Sequence, residues 1–505
     1  MLQLVLASAL IVNADFIQYY KRPAEEMTAA CAAAYVDRMA EGGKVTHFFM
    51  NPASQRANFE SAHWEPIWKG LDEPDSQGAV SNVWAVNSKL CHDRGFDVYR
   101  VWIGRCREKG ISPWISMRMN DVHNVHIKDF FATSTHWRTH PELRRNPKVD
   151  PVKNGWDWIN VAYDYSKPDV RAYRLAQFRE LVDRYDADGF ELDWMRFWAH
   201  LPPGRERLDA HFLADFMRDC RAYLGAKAKE RGHPIRMSVR VPYGRKPAFE
   251  LGFDPETWVK ERLVDLVVVG NFWMTIDYAT DFAEWKTVLT ALNPDVKVVP
   301  SADCSLAGAP FYRGGQPVRA DIPALRGWCD LMYSLGAGDV YLFNADRGTK
   351  ITAKTTAEEN AAAVAYENAI YGGDLSAAAV RKALRRYVCT FHDCILSWGS
   401  DGCQLPKDLK GGCALTVNVG TPTCESAAVV LGFDAEPPAG LAVMLNGVAA
   451  TGPGVPEADA ARFGKSKVAR RFAFTPSAVR TGANAVAVGP VDTAVKVRWC
   501  EVELK

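Results

Sequence analysis

Two acidic residues, Glu191 and Asp193, carry the strongest chemical signal in the sequence. They lie in the segment DGFELDW, whose apolar residues at every second position are typical of a buried strand. Because strand side chains alternate between two faces, both carboxylates point to the same face. Two buried carboxylates this close together push one pKa up and leave the other low, which is the arrangement that acid–base catalysis uses. The alternative is a purely stabilising salt bridge to Arg118, Arg196 or Arg240.

The elements that would position this pair repeat along the first three quarters of the chain. Strand-like segments cover residues 10–13, 45–51, 111–119, 189–195, 235–241, 263–273, 296–301 and 339–344. Helix-like segments between and after them cover residues 24–40, 82–109, 170–185, 208–231, 281–292, 320–335 and 355–369, and Asp254-Pro255-Glu256 is typical of a further helix start. Eight strand–helix repeats predict a (β/α)8 TIM barrel over residues 1–373. The two longest loops, about 52–80 and 120–166, follow strands and therefore belong to the C-terminal mouth of the barrel.

The first strand has a competing interpretation. Residues 1–14 are apolar and end in a small residue, as a secretory signal would, but no Lys or Arg precedes the apolar run. A strand here is needed to complete the eight, so we favour the strand.

The sequence pattern changes after Gly373. Short β-rich segments follow at residues 414–419, 427–433, 441–445, 468–474, 485–488 and 495–504. Asn446-Gly447 is a hairpin signal, and residues 482–484 are typical of a turn. We therefore expect a β-sandwich over residues 374–505.

Polar side chains follow almost every predicted barrel strand, and a barrel built for stability alone has no need of them. Any single one could instead cap the following helix. Two groups are expected to line the mouth. The candidate catalytic acids there are Asp193, Glu191, Asp303 and Asp121, and the candidate substrate-binding residues are Asn13, Asp15, Asn51, Arg118, Asn120, His123, Arg240, Asn271, Trp273 and Asn344.

Composition excludes several classes of function. The 61 basic and 60 acidic residues give a net charge of +1, too weak a field to recruit nucleic acid. No other apolar run approaches the roughly 18–20 residues of a membrane span. The sequence has no GxSxG, P-loop or GxGxxG motif, and we expect neither a cofactor nor a metal. A metal-dependent hydrolase using Asp121, His123 and His126 is kept as an alternative.

Half of the twelve cysteines lie beyond residue 388. This density favours disulfides in the C-terminal region about as much as free buried thiols. For the same reason the sequence does not decide the cellular compartment, although it favours an extracytoplasmic one. The oligomeric state is not indicated by the sequence.

The strand around Asp193 resembles a known family. YDADGFELDWMRF and the preceding VAYDYSKPDVRAYRLAQF are similar to the fourth-strand region of the family-10-like bacterial glycosyl hydrolases, which are barrel proteins. The matching residues are Asp164, Pro168, Val170, Arg171, Tyr185, Asp186, Asp188, Gly189 and Asp193. DGFELDW also resembles the chitinase-type Asp-Gly-x-Asp-x-Asp-Trp-Glu signature, from which it departs at Glu191 and at Met195, where the catalytic Glu would stand. In its succession of short β-rich segments, the C-terminal region is similar to jelly-roll modules of glycosidases.

The resemblance and the carboxylate pair together predict a glycoside hydrolase that acts on a poly- or oligosaccharide. Asp193 would be the nucleophile or general base, and Glu191 would tune Asp193 or act as the acid. The general acid from another strand would be Asp303, Asp121 or Asp277, in that order. Met195 leaves a second possibility open, a barrel that binds glycans without cleaving them.

Overall fold

The computed structural model of the 505-residue chain describes residues 9–15, 17–71, 83–153, 157–242, 244–272, 275–310, 314–345, 355–392 and 402–505. The expected substrate-binding residue Trp273 lies outside these described residues. Within them, no helix is both long and apolar enough to cross a bilayer.

The eight barrel strands and the long helices follow one another in the predicted order, and several short elements are additional to the prediction. The strands are β1 (Leu10–Ala14), β2 (Val45–Met50), β3 (Ser112–Arg118), β4 (Gly189–Asp193), β5 (Arg236–Pro242), β6 (Leu266–Gly270), β7 (Lys297–Asp303), β8 (Ser305–Leu306), β9 (Val318–Arg319), β10 (Val340–Phe343), β11 (Arg385–Val388), β12 (Lys407–Asp408), β13 (Cys413–Val419), β14 (Ala427–Phe433), β15 (Val443–Leu445), β16 (Val448–Ala449), β17 (Val455–Pro456), β18 (Val468–Phe474), β19 (Gly482–Val488) and β20 (Lys496–Leu504). The helices are α1 (Ala29–Ala40), α2 (Val83–Asp93), α3 (Val98–Glu108), α4 (Thr135–Thr139), α5 (Pro168–Arg184), α6 (Glu206–Asp209), α7 (His211–Arg231), α8 (Arg245–Glu250), α9 (Pro255–Lys260), α10 (Phe282–Leu292), α11 (Ile322–Ser334), α12 (Ala357–Tyr371) and α13 (Ala377–Val380).

Eight of the strands close into a parallel barrel, in the order β1-β10-β7-β6-β5-β4-β3-β2. β1 pairs with both β2 and β10, so the first predicted strand does complete the barrel. The inward-facing apolar residues form a core cluster of their own: Ile11, Phe49, Trp114, Leu266, Val268, Val299, Tyr341 and Phe343. The predicted TIM barrel is confirmed, and its C-terminal mouth lies above this cluster.

Local sequence signals explain where several helices begin and end. Asp254 caps α9 through its side chain, which accepts a hydrogen bond from the Thr257 N–H, and Pro255 takes the first helical position. The single helix predicted for residues 82–109 is two helices. Gly95 adopts a φ of +76°, a conformation that glycine reaches at little cost, and Asp97 caps the second helix.

The C-terminal residues form two antiparallel sheets, as expected for a β-sandwich. One has the order β11-β20-β14-β18-β17, with β12 also paired to β20, and the other has the order β13-β19-β15-β16. The Asn446-Gly447 hairpin is confirmed, since Leu445 pairs with Val448 on either side of it. The turn predicted for residues 482–484 is wrong.

Those three residues begin β19, because Asn484 pairs with Val417 of β13. Its side-chain amide, fully buried, donates to the carbonyls of Arg480 and Gly482, so a residue typical of turns is accommodated inside a strand. The division of the chain at residue 373 stays a prediction.

Four of the C-terminal cysteines that the structure describes are free thiols: Cys389, Cys413, Cys424 and Cys500. For these four, the alternative of free thiols holds and no disulfide is found. The sheets are held instead by their backbone ladders and by a continuous apolar core.

Candidate active site at the barrel mouth

Three neighbouring strands arrange the acidic residues in layers inside the barrel. β3, β4 and β5 pair in parallel, so residues at matching positions form rows. From the closed end towards the mouth, these rows are Trp114–Gly189–Arg236, Ser116–Glu191–Ser238 and Arg118–Asp193–Arg240. Gly189 is required in the lowest row, because a Cβ there would lie 2.4 Å from the Trp114 ring. Glu191 therefore lies one layer below Asp193, which reaches the mouth.

Glu191 is fully enclosed in the middle layer. Its Oε1 accepts hydrogen bonds from the Ser116 hydroxyl at 2.7 Å and the Tyr341 hydroxyl at 3.0 Å, and its Oε2 lies 3.3 Å from the Ser238 hydroxyl. Burial, followed by the nearby charge of Asp193, raises the pKa of Glu191 to about 7. Tyr341 belongs to β10, directly opposite β4 in the strand order, so this hydrogen bond spans the barrel. Glu191 thus forms part of the floor beneath the mouth.

Asp193 lies in the top layer beside Arg240. Its Oδ2 accepts a hydrogen bond from Nη1 of Arg240 at 2.8 Å, and its Oδ1 accepts one from the Met195 N–H at 3.1 Å. Both charged side chains are 1% exposed. The Arg240 guanidinium also lies 3.6 Å from the centre of the Phe343 ring, a cation–π contact. The salt bridge considered from the sequence is therefore present, and it holds the carboxylate in a fixed orientation.

A second ionic group flanks this pair. Arg118 donates to Asp15 at 2.8 Å and to Asp121 at 3.0 Å. Asp121 also lies 2.6 Å from Nδ1 of His123, whose Nε2 lies 3.2 Å from Nη2 of Arg196. Because a guanidinium only donates, this Nε2 accepts, and the ring proton is on Nδ1. Burial alone would raise the pKa of Asp121, but His123 and Arg118 outweigh it and hold the pKa well below its usual range.

The three candidates for a general acid differ in their surroundings. Asp121, with its lowered pKa, is a poor proton donor at neutral pH. Asp277 is held by His392, whose Nδ1 lies 3.0 Å from its Oδ2, and by the Ala279 N–H at 2.7 Å. Asp303 ends β7 at the mouth and is 7% exposed.

Asparagines complete the inner rim. Oδ1 of Asn13 accepts from the Asn344 N–H at 3.3 Å, and Nδ2 of Asn51 donates to the Ser116 carbonyl at 2.8 Å. Other polar atoms here are buried without a hydrogen-bond partner. They are both amide atoms of Asn344, Oδ1 of Asn51 and Nε of Arg240.

Asn120, a predicted substrate-binding residue, has a structural role instead. Asn120 donates to the carbonyls of Tyr163 and Ala199 and accepts from the Tyr163 N–H, so its amide fastens loops rather than facing the mouth.

Asn271 follows β6 at the mouth and is half-buried. His126 has an exposed side chain in the third loop. No group of three His, Cys, Asp or Glu residues in the described ranges could hold a metal ion.

Sequence reasoning missed the hydrogen-bond partners of Glu191 in the middle layer. Ser116 and Ser238 each stand two positions before an arginine already singled out, so strand alternation could have found them. Tyr341 could not be found this way. Its contact with Glu191 depends on closure of the barrel, which brings β10 opposite β4.

Comparison with known proteins gives distant matches. No family model matches the chain. The chain is 24% identical over 151 residues to the 1,4-alpha-glucan branching enzyme GlgB 2 of Xanthomonas oryzae pv. oryzae (strain KACC10331 / KXO85), covering 30% of this chain and 18% of that protein. It is 25% identical over 149 residues to the same-named enzyme of Xanthomonas campestris pv. campestris (strain 8004), covering 29% and 17%. The chain thus matches less than a fifth of the length of these curated relatives.

Solved structures of similar shape include carbohydrate-active barrels. The PgaB (BpsB) glycoside hydrolase domain of Bordetella bronchiseptica aligns with a TM-score of 0.42 and 12% identity, covering 69% of this chain and 100% of that chain. Alpha-L-fucosidase isoenzyme 2 of Paenibacillus thiaminolyticus aligns with a TM-score of 0.42 and 14% identity, covering 75% and 51%. Likenesses this distant identify neither a substrate nor catalytic residues. Membership of the family-10-like glycosyl hydrolases stays a prediction.

Proposed function

We propose that the chain is a glycoside hydrolase that cleaves O-glycosidic bonds at the barrel mouth. The observation that carries this proposal is the top layer of the barrel, where Asp193 lies between Arg118 and Arg240 in register. This layer lies at the C-terminal ends of the strands, the face at which barrel enzymes bind their substrates. A single carboxylate, oriented by an arginine and a backbone N–H, is ready to act on an anomeric carbon.

Each acidic residue then has a role. Asp193 is the nucleophile or general base, since its Oδ1 is held by one backbone N–H and its Oδ2 by Arg240. Asp303 is the leading general acid, because it ends β7 at the mouth, whereas His123 and Arg118 hold the pKa of Asp121 well below its usual range. Glu191 does not contact the sugar in this scheme. It keeps a proton below Asp193 and tunes it, because a second negative charge in the layer below would repel the first.

The separation of the two reacting carboxyl groups decides the stereochemistry of cleavage. A separation of about 5–5.5 Å favours retention of the anomeric configuration, and one of about 6.5–9.5 Å favours inversion. Polarimetry or NMR of the first-formed sugar distinguishes the two outcomes.

The test is a panel of oligo- and polysaccharides incubated with the purified chain and with Asp193→Asn. The matched control is Asp219→Asn, an exposed aspartate on α7. We expect sugar release by the wild type and the control, and a loss of roughly 10³-fold or more in Asp193→Asn. Near-normal turnover in Asp193→Asn on a confirmed substrate overturns the assignment.

A second function is favoured by one observation. Asp193 and Arg240 are each only 1% exposed, and Met195 stands two residues beyond Asp193, where the chitinase-type signature has its catalytic Glu. A barrel that binds glycans without cleaving them fits these facts. Its signature is retardation of both wild type and Asp193→Asn on a glycan affinity gel, with no sugar released by either.

A further inference from the structure

The mouth contains buried polar atoms that the protein itself leaves unsatisfied. In the part of the chain that the structure describes, the buried rim atoms without a hydrogen-bond partner include Oδ1 and Nδ2 of Asn344, Oδ1 of Asn51 and Nε of Arg240. All three residues are at most 3% exposed. A buried donor or acceptor without a partner is costly, so such groups mark strain, ordered water or a ligand site.

These atoms belong to one region of the barrel. Asn51 follows β2, Arg240 lies in β5 and Asn344 follows β10, so all three are at the C-terminal ends of their strands. The Asn344 N–H donates to the side chain of Asn13 on the neighbouring β1, which places Asn344 at the inner rim. β10 lies opposite β4 in the strand order, so Asn344 and Asp193 lie at the ends of opposite strands.

The chemistry of the four atoms selects a ligand. Two of them accept hydrogen bonds, the amide oxygens of Asn51 and Asn344, and two donate, Nδ2 of Asn344 and Nε of Arg240. A hydroxyl group both donates and accepts, so adjacent hydroxyls satisfy a mixed set. A carboxylate only accepts and would leave both amide oxygens unsatisfied. An ammonium group only donates and would leave both donors unsatisfied.

The balance of charged groups at the mouth also favours an uncharged ligand. Its carboxylates are Asp15, Asp121, Asp193 and Asp303, and its guanidinium groups are Arg118, Arg196 and Arg240. Arg118 is already bound to two of the carboxylates. In the proposed mechanism Asp303 carries a proton, so the other three carboxylates balance the three guanidinium groups and the mouth offers no net charge to a charged ring.

We propose that Asn51, Asn344 and Arg240 bind the hydroxyl groups of an uncharged sugar ring held at the mouth. This inference rests on the proposed function and narrows its substrate class to neutral glycosides, as opposed to uronic acids and free amino sugars. Asn344, on the wall opposite Asp193, is a specificity-determining residue. Asn51 and Arg240 bind the same ring from β2 and β5.

The first experiment compares matched ligands with the full chain. The probes are 4-nitrophenyl glycosides of glucose, galactose, mannose, fucose and N-acetylglucosamine, set against those of glucuronic acid, galacturonic acid and glucosamine. Calorimetric titration measures binding, and nitrophenolate release measures cleavage. We expect at least one neutral glycoside to bind about tenfold or more tightly than its charged counterpart. Preference for a charged sugar, or binding of none, overturns the inference and leaves ordered water as the partner of these atoms.

The second experiment removes the Asn344 amide. Asn344 has a φ of +51°, so Asn344→Gly keeps a backbone conformation that glycine adopts easily. The matched control is Asn446→Gly, at a φ of +53° in the C-terminal hairpin. We expect Asn344→Gly to weaken binding of the neutral glycoside about tenfold, and the control to bind as the wild type does. Equal binding by both variants contradicts the assignment.

The two readouts separate this inference from the proposed function. Binding of a neutral glycoside that depends on Asn344, without release of nitrophenolate, supports the inference and removes the hydrolase. Cleavage that needs Asp193 but does not depend on Asn344 supports the hydrolase and removes the inference.

Discussion

Two asparagines in nearly the same backbone conformation behave in opposite ways. Asn446, in the hairpin between β15 and β16, donates to the Ala478 carbonyl and to Asn484, both at 2.8 Å, and accepts from the Ala485 N–H at 2.9 Å. Asn344, at the end of β10, makes no side-chain hydrogen bond at all and is fully buried. One amide stabilises a hairpin, whereas the other is the amide for which we propose sugar hydroxyls as partners.

Two buried acidic residues, Glu501 and Asp193, also differ in how completely the protein binds their oxygens. Glu501, in the C-terminal sheet, accepts from Arg386 at 3.0 Å through each of its oxygens, and from the Trp499 ring N–H at 2.9 Å. Asp193 has one guanidinium contact through one oxygen, while its other oxygen accepts a backbone N–H. The C-terminal pair is enclosed in a core, whereas the barrel pair lies at the C-terminal ends of the strands, where we propose that a substrate binds. Burial by itself therefore does not separate structural charges from those proposed to be catalytic.

Removing the arginine from each pair gives the largest expected effect on stability. Arg240→Met leaves the buried Asp193 without its hydrogen-bonded guanidinium, and Arg386→Met leaves the buried Glu501 with only the partly exposed Arg462 at 3.5 Å. Each substitution is expected to cost about 3–5 kcal/mol of unfolding free energy. Denaturant unfolding measures both losses. Below the unfolding transition, Arg386→Met should bind and cleave glycans as the wild type does, whereas Arg240→Met should not. Equal loss of activity in both folded variants would remove the distinction between the two regions.

Glu191→Gln probes the proton in the middle layer. In the folded protein the pKa of Glu191 is raised from 4.5 to about 7. The stability that Glu191 contributes to the folded protein is therefore complete below about pH 4.5. It is lost as the pH rises through about 7, and the free energy of unfolding falls by up to about 1.4 kcal/mol per pH unit. Glutamine does not titrate, so the variant should gain roughly 3 kcal/mol relative to the wild type across this range. Unfolding free energies measured from about pH 4.5 to 8 test this, and a constant difference between the two proteins refutes it.

The paired glycine variants give the smallest effect and the sharpest contrast. Asn446→Gly removes three hydrogen bonds from the hairpin and should lower the free energy of unfolding by about 1–3 kcal/mol. Asn344→Gly removes an amide with no partner, so its free energy of unfolding should stay within about 0.5 kcal/mol of the wild type. Thermal and denaturant unfolding measure both. A larger loss for Asn344→Gly than for Asn446→Gly would show that the amide of Asn344 stabilises the free protein.

Much of this architecture could be predicted from the sequence, because strand periodicity and loop position are local signals. The alternation around Asp193 places Glu191 and Asp193 on the inner face, and the apolar segment near residue 10 supplies the eighth strand. The partners could not be predicted. That Arg240 binds Asp193 while Arg118 binds Asp15 depends on the register of neighbouring strands and on barrel closure, which no local pattern encodes. The free cysteines and the strand position of Asn484 likewise follow from tertiary packing.

The central claim is that Asp193 acts as the nucleophile or general base of glycoside cleavage and does more than neutralise Arg240. The most direct measurement is cleavage by Asp193→Ala with and without sodium azide, because a small anion can occupy the space of the missing carboxylate and attack in its place. We expect turnover to fall roughly 10³-fold, then to recover in part with azide, yielding a glycosyl azide as product. Turnover in Asp193→Ala close to that of the wild type, with no azide adduct formed, would contradict the account.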